Sequence, residues 1–406
     1  MLDRSRVLKE LQEISDKLFI DNVQNYEQAK KIWHRIAADV TFAHKVQAMK
    51  GQAPFLIPSW QDKLDEVISL SVRPEGSSLA ANLKDQSEFK SLDAYRVLAI
   101  DGSQIYPDRH QGTACFLINI GTVVLSYGMS GKSVMLDSKP SVYIGQDEDA
   151  FDISAELVNC RRQELEFNAG VALSKQLQEE ASVQNVPFIF LFDGSLIFWH
   201  LESKEMDLKD RFLSQYLASL HQLYQTKTLT AGYISLPKNK ELANLLRLEM
   251  CDFNIDKVDP AFAKASAGGE SNELDYLVDT TISHFFLEPY SRSIIFKSNS
   301  NICEHYPDYL HPHFFYLHVG TEIGRVEIPA WIAQDAHKVN LVATIIIDQS
   351  IKGRGYPVAI AESHEQAVVK GPDREFFYQL ISKIGFERNQ RLIMSQKSIK
   401  KRGIGI

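Results

Sequence analysis

Two strand-like segments of this chain end in the same way, with an aspartate that leads into a glycine and a serine. The first is VLAIDGS, which carries Asp101, and the second is FLFDGS, which carries Asp193. Either turn alone would be ordinary, because Asp-Gly pairs commonly end strands. If the two strands are neighbours, however, two carboxylates meet, and they repel each other unless a cation lies between them. The pair therefore predicts a site for divalent metal ions.

A metal site of this composition is suited to phosphodiester chemistry. Hard oxygen ligands select Mg²⁺ or Mn²⁺. Two such ions about 3.5–4 Å apart can activate an attacking water and stabilise a leaving 3′-oxygen. The glycine after each aspartate leaves room for a phosphate to approach. We expect Asp101 to bridge or bind both ions and Asp193 to complete the shell.

A third carboxylate is expected from the helix between the two strands. The candidates are Glu164 and Glu166 in the segment RRQELEFNAG. Glu166 is favoured because helical periodicity places it on the stripe that faces the sheet, with Arg162 one turn earlier. The alternative is that Arg162 and Glu166 form an ordinary surface ion pair.

The elements around these residues predict an α/β fold with an RNase H-like mixed sheet flanked by helices. From Tyr95 the chain reads as three strands (YRVLAID, CFLINIGTVVLSYG and KPSVYIG), a helix from about Ile153 to Ala181, and the apolar strand VPFIFLFD. In an RNase H-like fold the first and fourth strands lie side by side in parallel. Ligands of open α/β sheets gather at the carboxyl ends of such strands. Asp101 and Asp193 are therefore expected to be neighbours.

The rest of the chain is predicted as further strands and helices. A strand at TLTAGYISL is followed by a helix at NKELANLLRLEM and a polar loop at FAKASAGGESNELD. Strands are then expected at RSIIFKS, FFYLHV, GRVEIPAWI and LVATIIIDQ, with a closing helix at or after ESHEQAVVKG. Near the N-terminus, apolar residues at helical spacing (Val7, Leu8, Leu11, Ile14 and Leu18) predict a helix, and DKLDEVISLSV predicts another.

Composition restricts the class of protein. A formal net charge of −8 argues against a protein that coats nucleic acid by general electrostatics. No apolar run is long enough to span a membrane, and the N-terminal segment lacks the pattern of a secretory signal. The four cysteines form no CxxC pair, which predicts neither a disulfide framework nor a zinc knuckle. Together these features predict a soluble, cytoplasmic protein with no membrane partner.

Over roughly residues 95 to 380 the chain resembles the NurA nucleases. The resemblance rests first on the three motifs around the carboxylates, AIDGS, R-x-x-x-E and LFDGSL. It continues through GYIS, VDTTI, PYSRSIIF, RVEIPAW and GYPVAIAESH, the last of which carries Tyr356 and His364. No single motif is decisive, but their order is specific.

The resemblance implies a metal-binding set of Asp101, Glu166, Asp193 and His364, with Tyr356 beside it as a further catalytic residue. It implies two Mn²⁺ or Mg²⁺ ions as cofactors. It also implies 5′–3′ exonuclease and single-strand endonuclease activity on DNA, in end resection and double-strand break repair. The implied partner is a HerA-type hexameric ATPase, which the family engages as a homodimer.

Individual side chains can be assigned chemistry that fits this resemblance. A neutral histidine such as His364 can bind Mn²⁺ or relay a proton. Tyr356 precedes a proline, so its backbone is extended and its ring or hydroxyl could contact DNA. Arg292, Arg354 and Arg374 are predicted phosphate contacts, because guanidinium binds phosphate through two hydrogen bonds, although ordinary salt bridges are the alternative.

The predicted domain organisation has three parts. Residues 1–90 form a helical region for partner docking or dimerisation, 91–385 form the NurA-like domain, and 386–406 form a basic tail that contains QKSIKKR. Two other functions stay open: a catalytically silent scaffold that binds DNA or a partner, and a metal-dependent phosphatase. Both aspartates are present, which argues against the first, and a closed pocket would favour the second. The chain lacks a Walker A motif, so ATP hydrolysis is not expected.

Overall fold

The structure is a computed structural model. It describes residues 2–15, 23–53, 56–70, 92, 94–108, 115–129, 133–144, 154–179, 186–254 and 277–389. The predicted loop FAKASAGGESNELD, the basic segment QKSIKKR and Leu18 lie outside these residues. Within them, no helix is both long enough and apolar enough to cross a membrane.

The helices and strands are numbered here in chain order. The helices are α1 (Arg4–Glu13), α2 (Val23–Ala38), α3 (Phe42–Ala48), α4 (Ala155–Glu179), α5 (Met206–Gln225), α6 (Glu241–Met250), α7 (Asp279–Ser283), α8 (Ala330–Ala333), α9 (Ala336–Lys352), α10 (Val358–Ala367) and α11 (Gly371–Glu387). The strands are β1 (Val67–Ser69), β2 (Tyr95–Ile105), β3 (Cys115–Tyr127), β4 (Val134–Ile144), β5 (Phe188–Asp193), β6 (Leu229–Ile234), β7 (Ser291–Ser293), β8 (Phe296–Lys297), β9 (Pro312–His318) and β10 (Ile323–Pro329).

The chain divides into two compact units. One comprises Met1–Glu66 and Pro237–Leu287, and the other comprises Val67–Leu236 and Glu288–Ile406. In the first unit, helix α2 packs through Trp33, whose ring stacks on Phe286 with centroids 5.2 Å apart. Helix α1 forms where apolar spacing predicts it, but it has no buried residue. The proposed division at residues 90 and 385 stays a prediction.

The second unit contains the sheet, and its strand order confirms the predicted fold. The strands follow the order β1-β7-β9-β10-β6-β5-β2-β3-β4, with β8 beside β9. Strand β2 is antiparallel to β3 and parallel to β5, and β5 is parallel to β6. The segment β4-β3-β2-β5-β6 thus has the order and directions of an RNase H-like sheet.

Side chains alternate across β2 and β5 and divide the core into two layers. On one face, Leu98 and Phe190 pack in a cluster with side chains of α4 and α5, including Phe167. On the other face, Ala99 and Leu191 pack with side chains of α9 and α10. Because both faces are covered, these strands read as continuous apolar runs in the sequence.

Two predicted elements are wrong. LVATIIIDQ was predicted as a strand but lies in helix α9, which begins where Asp335 caps the backbone N–H groups of His337 and Lys338. The run is apolar because it is buried, and periodicity alone cannot separate a buried strand from a buried helix. DKLDEVISLSV was predicted as a helix, yet its residues Val67–Ser69 form β1, which pairs with Ser291–Ser293 of β7. That partner lies far away in the sequence, so local spacing gives no sign of it.

Candidate active site

The two aspartates lie at the ends of neighbouring parallel strands, as the sequence predicts. Residues Ile100 of β2 and Phe192 of β5 are paired in register, and each is followed directly by an aspartate. Asp101 is largely covered, with 15% of its side chain exposed, whereas Asp193 is exposed. After Asp193 the chain turns at Gly194, whose φ of +131° is a conformation that favours glycine. Both carboxylates project on the α10 face of the sheet, the face of Ala99 and Leu191.

Glu166 approaches the aspartates from the opposite face. It is buried on α4 and forms an ion pair with Arg162, which also donates to the carbonyl oxygen of Gly102 at 3.3 Å. A Cβ atom on Gly102 would lie 2.4 Å from Oε1 of Glu166 and 2.7 Å from Cγ of Arg162. Only glycine therefore allows this close approach next to Asp101.

The three carboxylates affect one another's electrostatics. Burial raises the pKa of Glu166 to about 8; the charges of Asp101 and Asp193 add to the rise, and Arg162 opposes it. Desolvation by the surrounding protein also raises the pKa of Asp193, and the charge of Asp101 acts in the same direction. The hydroxyl of Tyr356 and the charge of His364 oppose that shift. The acidic groups thus destabilise one another's charged forms.

Glu164, the other candidate for the third carboxylate, faces elsewhere. Its Oε2 lies 2.6 Å from Nη1 of Arg161, and the side-chain amide of Gln215 donates to Oε1 at 2.7 Å. Positions two apart on a helix point in nearly opposite directions. The structure therefore brings Glu166, not Glu164, to the aspartates.

The structure also brings His364 and Tyr356 to the aspartates. Nδ1 of His364 lies 2.8 Å from Oδ2 of Asp101, and 60% of the histidine side chain is exposed. The hydroxyl of Tyr356 donates to Oδ1 of Asp193 at 3.1 Å. Burial raises the pKa of Tyr356 well above its usual value, and the nearby carboxylates raise it further. The tyrosine therefore stays protonated and acts as a donor near neutral pH.

Helix α10 is fixed across β2 and β3 at the level of Asp101. Gly121 is the register partner of Asp101 and lies under the helix. Asn119 donates to the carbonyl oxygen of Ala367 at 2.8 Å, and Ser103 accepts from the backbone N–H of Val369 at 3.1 Å. These contacts hold the helix that carries the histidine.

We expect Gly121→Ala to disturb the site through this helix. The new Cβ would lie 2.3 Å from the backbone nitrogen of Ala367 and 2.5 Å from the carbonyl oxygen of Ser363, so the helix backbone must move. Overpacking of this kind costs about 1–3 kcal/mol. A displacement of about 1 Å in His364 lowers activity by up to about 10²-fold. Thermal unfolding and metal-dependent hydrolysis measure the two effects.

Gly371→Ala is the matched control, because no heavy atom lies within 4 Å of the added Cβ at that position. It should leave both quantities unchanged. If Gly121→Ala proves as stable and as active as the wild type, the contact of α10 with β3 does not position the histidine.

A buried ion pair supports the turn that follows Asp193. Glu327 accepts from the hydroxyl of Ser195 at 2.6 Å and from the backbone N–H groups of Leu196 and Ile197 at 2.8 and 3.3 Å. Arg325 donates to the other carboxylate oxygen at 2.8 Å, and both side chains are fully buried. This role of Glu327 does not follow from the sequence alone. The available signal was two charged residues, at alternate positions, in the apolar strand IGRVEIP.

The predicted phosphate contacts are not brought together. Arg292 is buried, and its Nε and Nη2 both donate to Oδ1 of Asn340, at 3.0 and 2.8 Å. Its guanidinium therefore binds within the protein and is not placed to contact a phosphate. Arg354 is exposed in the turn before Tyr356. Arg374, on α11, forms an ion pair with Asp108 at a distance of 3.3 Å.

Each carboxylate of the site has its own partner. Arg162 engages Glu166, His364 engages Asp101, and Tyr356 engages Asp193. Among the described residues, no three His, Cys, Asp or Glu side chains converge closely enough to hold a metal ion as they stand. The donor types nevertheless fit a hard divalent ion, since three carboxylates and an imidazole suit Mn²⁺. Their mutual repulsion is a further reason for a cation to bind here.

Comparisons with known proteins identify the family. The family model described as NurA domain matches residues 95–369. Among solved structures, the chain is similar to one described as the crystal structure of NurA bound to dAMP and manganese. The identity is 12% and the TM-score is 0.32, over 68% of this chain and 85% of that chain, and a likeness this weak adds nothing to the assignment. No curated protein matches the chain. Because the family model covers more than half of the chain, and every residue from Asp101 to His364, the chain belongs to the NurA family.

Proposed function

We propose that the protein is a metal-dependent deoxyribonuclease. Asp101, Glu166, Asp193 and His364 would hold two divalent ions, Mn²⁺ or Mg²⁺. The observation that carries the proposal is the pair of aspartates at adjacent parallel strand ends, with a buried glutamate reaching them past Gly102. Membership of the NurA family supports the same reaction.

The residues of the site have complementary roles in this proposal. Divalent ions bound here would supply an activated water and charge neutralisation for phosphodiester hydrolysis. The hydroxyl of Tyr356 orients the carboxylate of Asp193 by donating to one oxygen. His364 faces Asp101 through Nδ1, which leaves Nε2 on an exposed ring to bind an ion or to pass a proton to the leaving oxygen. Tyr356 and His364 thereby support the carboxylates from the α10 side.

A nuclease assay tests the proposal. Labelled single-stranded and double-stranded DNA is incubated with the protein and Mn²⁺, Mg²⁺ or EDTA. We expect cleavage with either metal and none with EDTA. A catalytically silent scaffold would bind the DNA without cutting it, and a phosphatase would instead release phosphate from small monoesters. Cleavage that persists in EDTA would contradict the metal mechanism.

Finer properties are proposed from family membership. They are 5′–3′ exonuclease and single-strand endonuclease activity, a role in DNA end resection and double-strand break repair, and a homodimer that works with a HerA-type ATPase. End-labelled substrates distinguish the polarity, because 5′–3′ degradation releases a 5′ label first.

Helix α1 is the proposed docking element for the partner or the second copy. Leu8 and Leu11 of this helix and Ile14 directly after it are 58%, 46% and 42% exposed. We expect deletion of residues 1–20 to weaken association with the cognate ATPase or to dissociate the dimer, as measured by light scattering. Unchanged association in both measurements would exclude this helix from either interface.

A further inference from the structure

Strand β2 continues past Asp101 and presents polar side chains to α4. Side chains alternate along the strand, so Gly102 and Gln104 face the helix whereas Ser103 faces the other side. The next residue on the helix side is Tyr106, which hydrogen bonds to Asn159 of α4. Glu166 of α4 approaches Asp101 beside Gly102, so the α4 side of β2 borders the carboxylates.

The side chains that face α4 form a connected, accessible row. Gln104 donates to the hydroxyl of Tyr106 at 2.8 Å, and that hydroxyl donates to Oδ1 of Asn159 at 2.7 Å. Gln104 and Tyr106 are half-buried and Asn159 is exposed. Among the described residues, none accepts a hydrogen bond from the side-chain amide nitrogen of Asn159. It is an available donor beside the site.

Arg162 joins this row to the carboxylates. It lies one turn after Asn159 and engages Glu166 and Gly102 through Nη1, while its buried Nε has no partner among the described groups. Burial lowers the pKa of the His200 imidazole, and the positive charges of Lys204 and Arg162 lower it further. Lys204 lies against the same helix through its ion pair with Glu156. Arg162 and Lys204 thus place two cations along α4.

The opposite flank of the site is acidic. Glu365 is exposed beside His364, and Glu362 on the same helix is half-exposed. Glu322 accepts from the hydroxyl of Tyr233 at 2.7 Å, and its charge helps to raise the pKa of Tyr356. A polyanion is repelled by these carboxylates, whereas on α4 the charges of Glu156 and Glu166 are each balanced by a cation.

We propose that the substrate strand lies along α4, on a surface that we name the α4 track, made of Gln104, Tyr106, Asn159, Arg162 and Lys204. This proposal rests on the proposed nuclease function and names the residues that would bind the strand beyond the cleaved bond. Arg162 and Lys204 contact phosphates, and the amides of Asn159 and Gln104 contact the sugar, phosphate or base edges.

The existing ion pair of Lys204 does not oppose this role. Lys204 lies 2.6 Å from Glu156, whose side chain is 59% exposed. The Lys204 side chain is 20% exposed, and the exposed glutamate can be displaced from it at little cost, so a phosphate can compete for the ammonium group. Glu156 precedes Arg162 by six residues, a rise of about 9 Å along the helix, so the two cations can reach different phosphates.

The test measures DNA binding separately from hydrolysis. Lys204→Ala and Asn159→Ala are introduced on an Asp101→Asn background, and binding of a fluorescent single-stranded oligonucleotide is followed by anisotropy with Mn²⁺ at several salt concentrations. Lys204→Ala should weaken binding about tenfold and reduce the slope of log K against log salt by about 0.7, the value for one phosphate contact. Asn159→Ala should weaken binding with little change in that slope.

Lys338→Ala is the matched control, since Lys338 also pairs with a nearby acid, Asp335, at 3.2 Å. It lies on α9, which begins at the end of the sheet away from the aspartates, and should leave binding unchanged. The proposal is overturned if the track variants bind DNA as the background protein does, if Lys338→Ala weakens binding equally, or if the background protein binds no DNA.

A small substrate separates this proposal from the proposed function. Bis(p-nitrophenyl) phosphate is a phosphodiester too small to extend from the carboxylates to Lys204. With Asp101 intact, Lys204→Ala and Asn159→Ala should raise the KM for DNA about tenfold, a larger change than in the KM for this compound, whereas Lys338→Ala should leave the hydrolysis of both substrates unchanged. If the wild type fails to hydrolyse both this compound and DNA, the proposed function is contradicted, whereas the binding result still decides the track.

Discussion

Replacing Asp101 or Asp193 with asparagine is expected to lower metal-dependent DNA hydrolysis by at least about 10³-fold, or roughly 4 kcal/mol of transition-state stabilisation. Asparagine keeps the size and one oxygen of the side chain but removes the charge that holds a cation. Because the two aspartates lie at paired strand ends, either substitution weakens the same site. Initial rates on labelled DNA at saturating Mn²⁺ measure the effect.

The substitutions should not destabilise the protein. Asp101 raises the pKa of Asp193 and of Glu166, so removing its charge relieves repulsion in the metal-free protein. The unfolding temperature of each variant in EDTA should equal or exceed that of the wild type. Asp137→Asn, at an exposed position on β4, is the matched control and should keep full activity. More than a tenth of wild-type activity in either site variant, or inactivity explained by unfolding, would contradict the assignment.

Divalent metal is expected to raise the unfolding temperature by roughly 3–5 °C. A ligand present at about 100 times its Kd stabilises the native state by about 2.7 kcal/mol. In a chain of 406 residues the entropy of unfolding is large, so each kcal/mol shifts the transition by only about 1–2 °C. The cation also removes the repulsion among Asp101, Glu166 and Asp193. Differential scanning fluorimetry across a Mn²⁺ titration measures the shift.

Two controls make this shift specific. Added KCl at equal ionic strength should reproduce little of it, because screening acts weakly on covered groups such as Glu166. The double variant Asp101→Asn, Asp193→Asn should lose most of it. An equal shift in the double variant would mean that the stabilising ion binds elsewhere.

The sequence predicts the site where its geometry follows from local pattern and topology. The order of strands brings Asp101 beside Asp193, and helical periodicity selects Glu166 over Glu164. His364 and Tyr356 could be named only through the family resemblance. Their position depends on how α10 packs on Gly121, a contact between segments far apart in the chain.

The features that the sequence did not predict also depend on tertiary contacts. Arg292 looks like an available cation in the sequence, but its guanidinium is buried against Asn340. The sequence assigns Glu327 no role beyond its place in the RVEIPAW motif, yet its carboxylate holds the turn after Asp193. A charged residue within an apolar strand can be exposed or can satisfy buried donors, and only the fold distinguishes the two.

Anomalous diffraction from crystals soaked in Mn²⁺ tests most directly whether the carboxylates share a cation. We expect at least one manganese peak within coordination distance of both Asp101 and Asp193, with Glu166 or His364 completing the shell. Manganese found only at other places, or two aspartates that each face solvent with no ion between them, would contradict the proposed metal site.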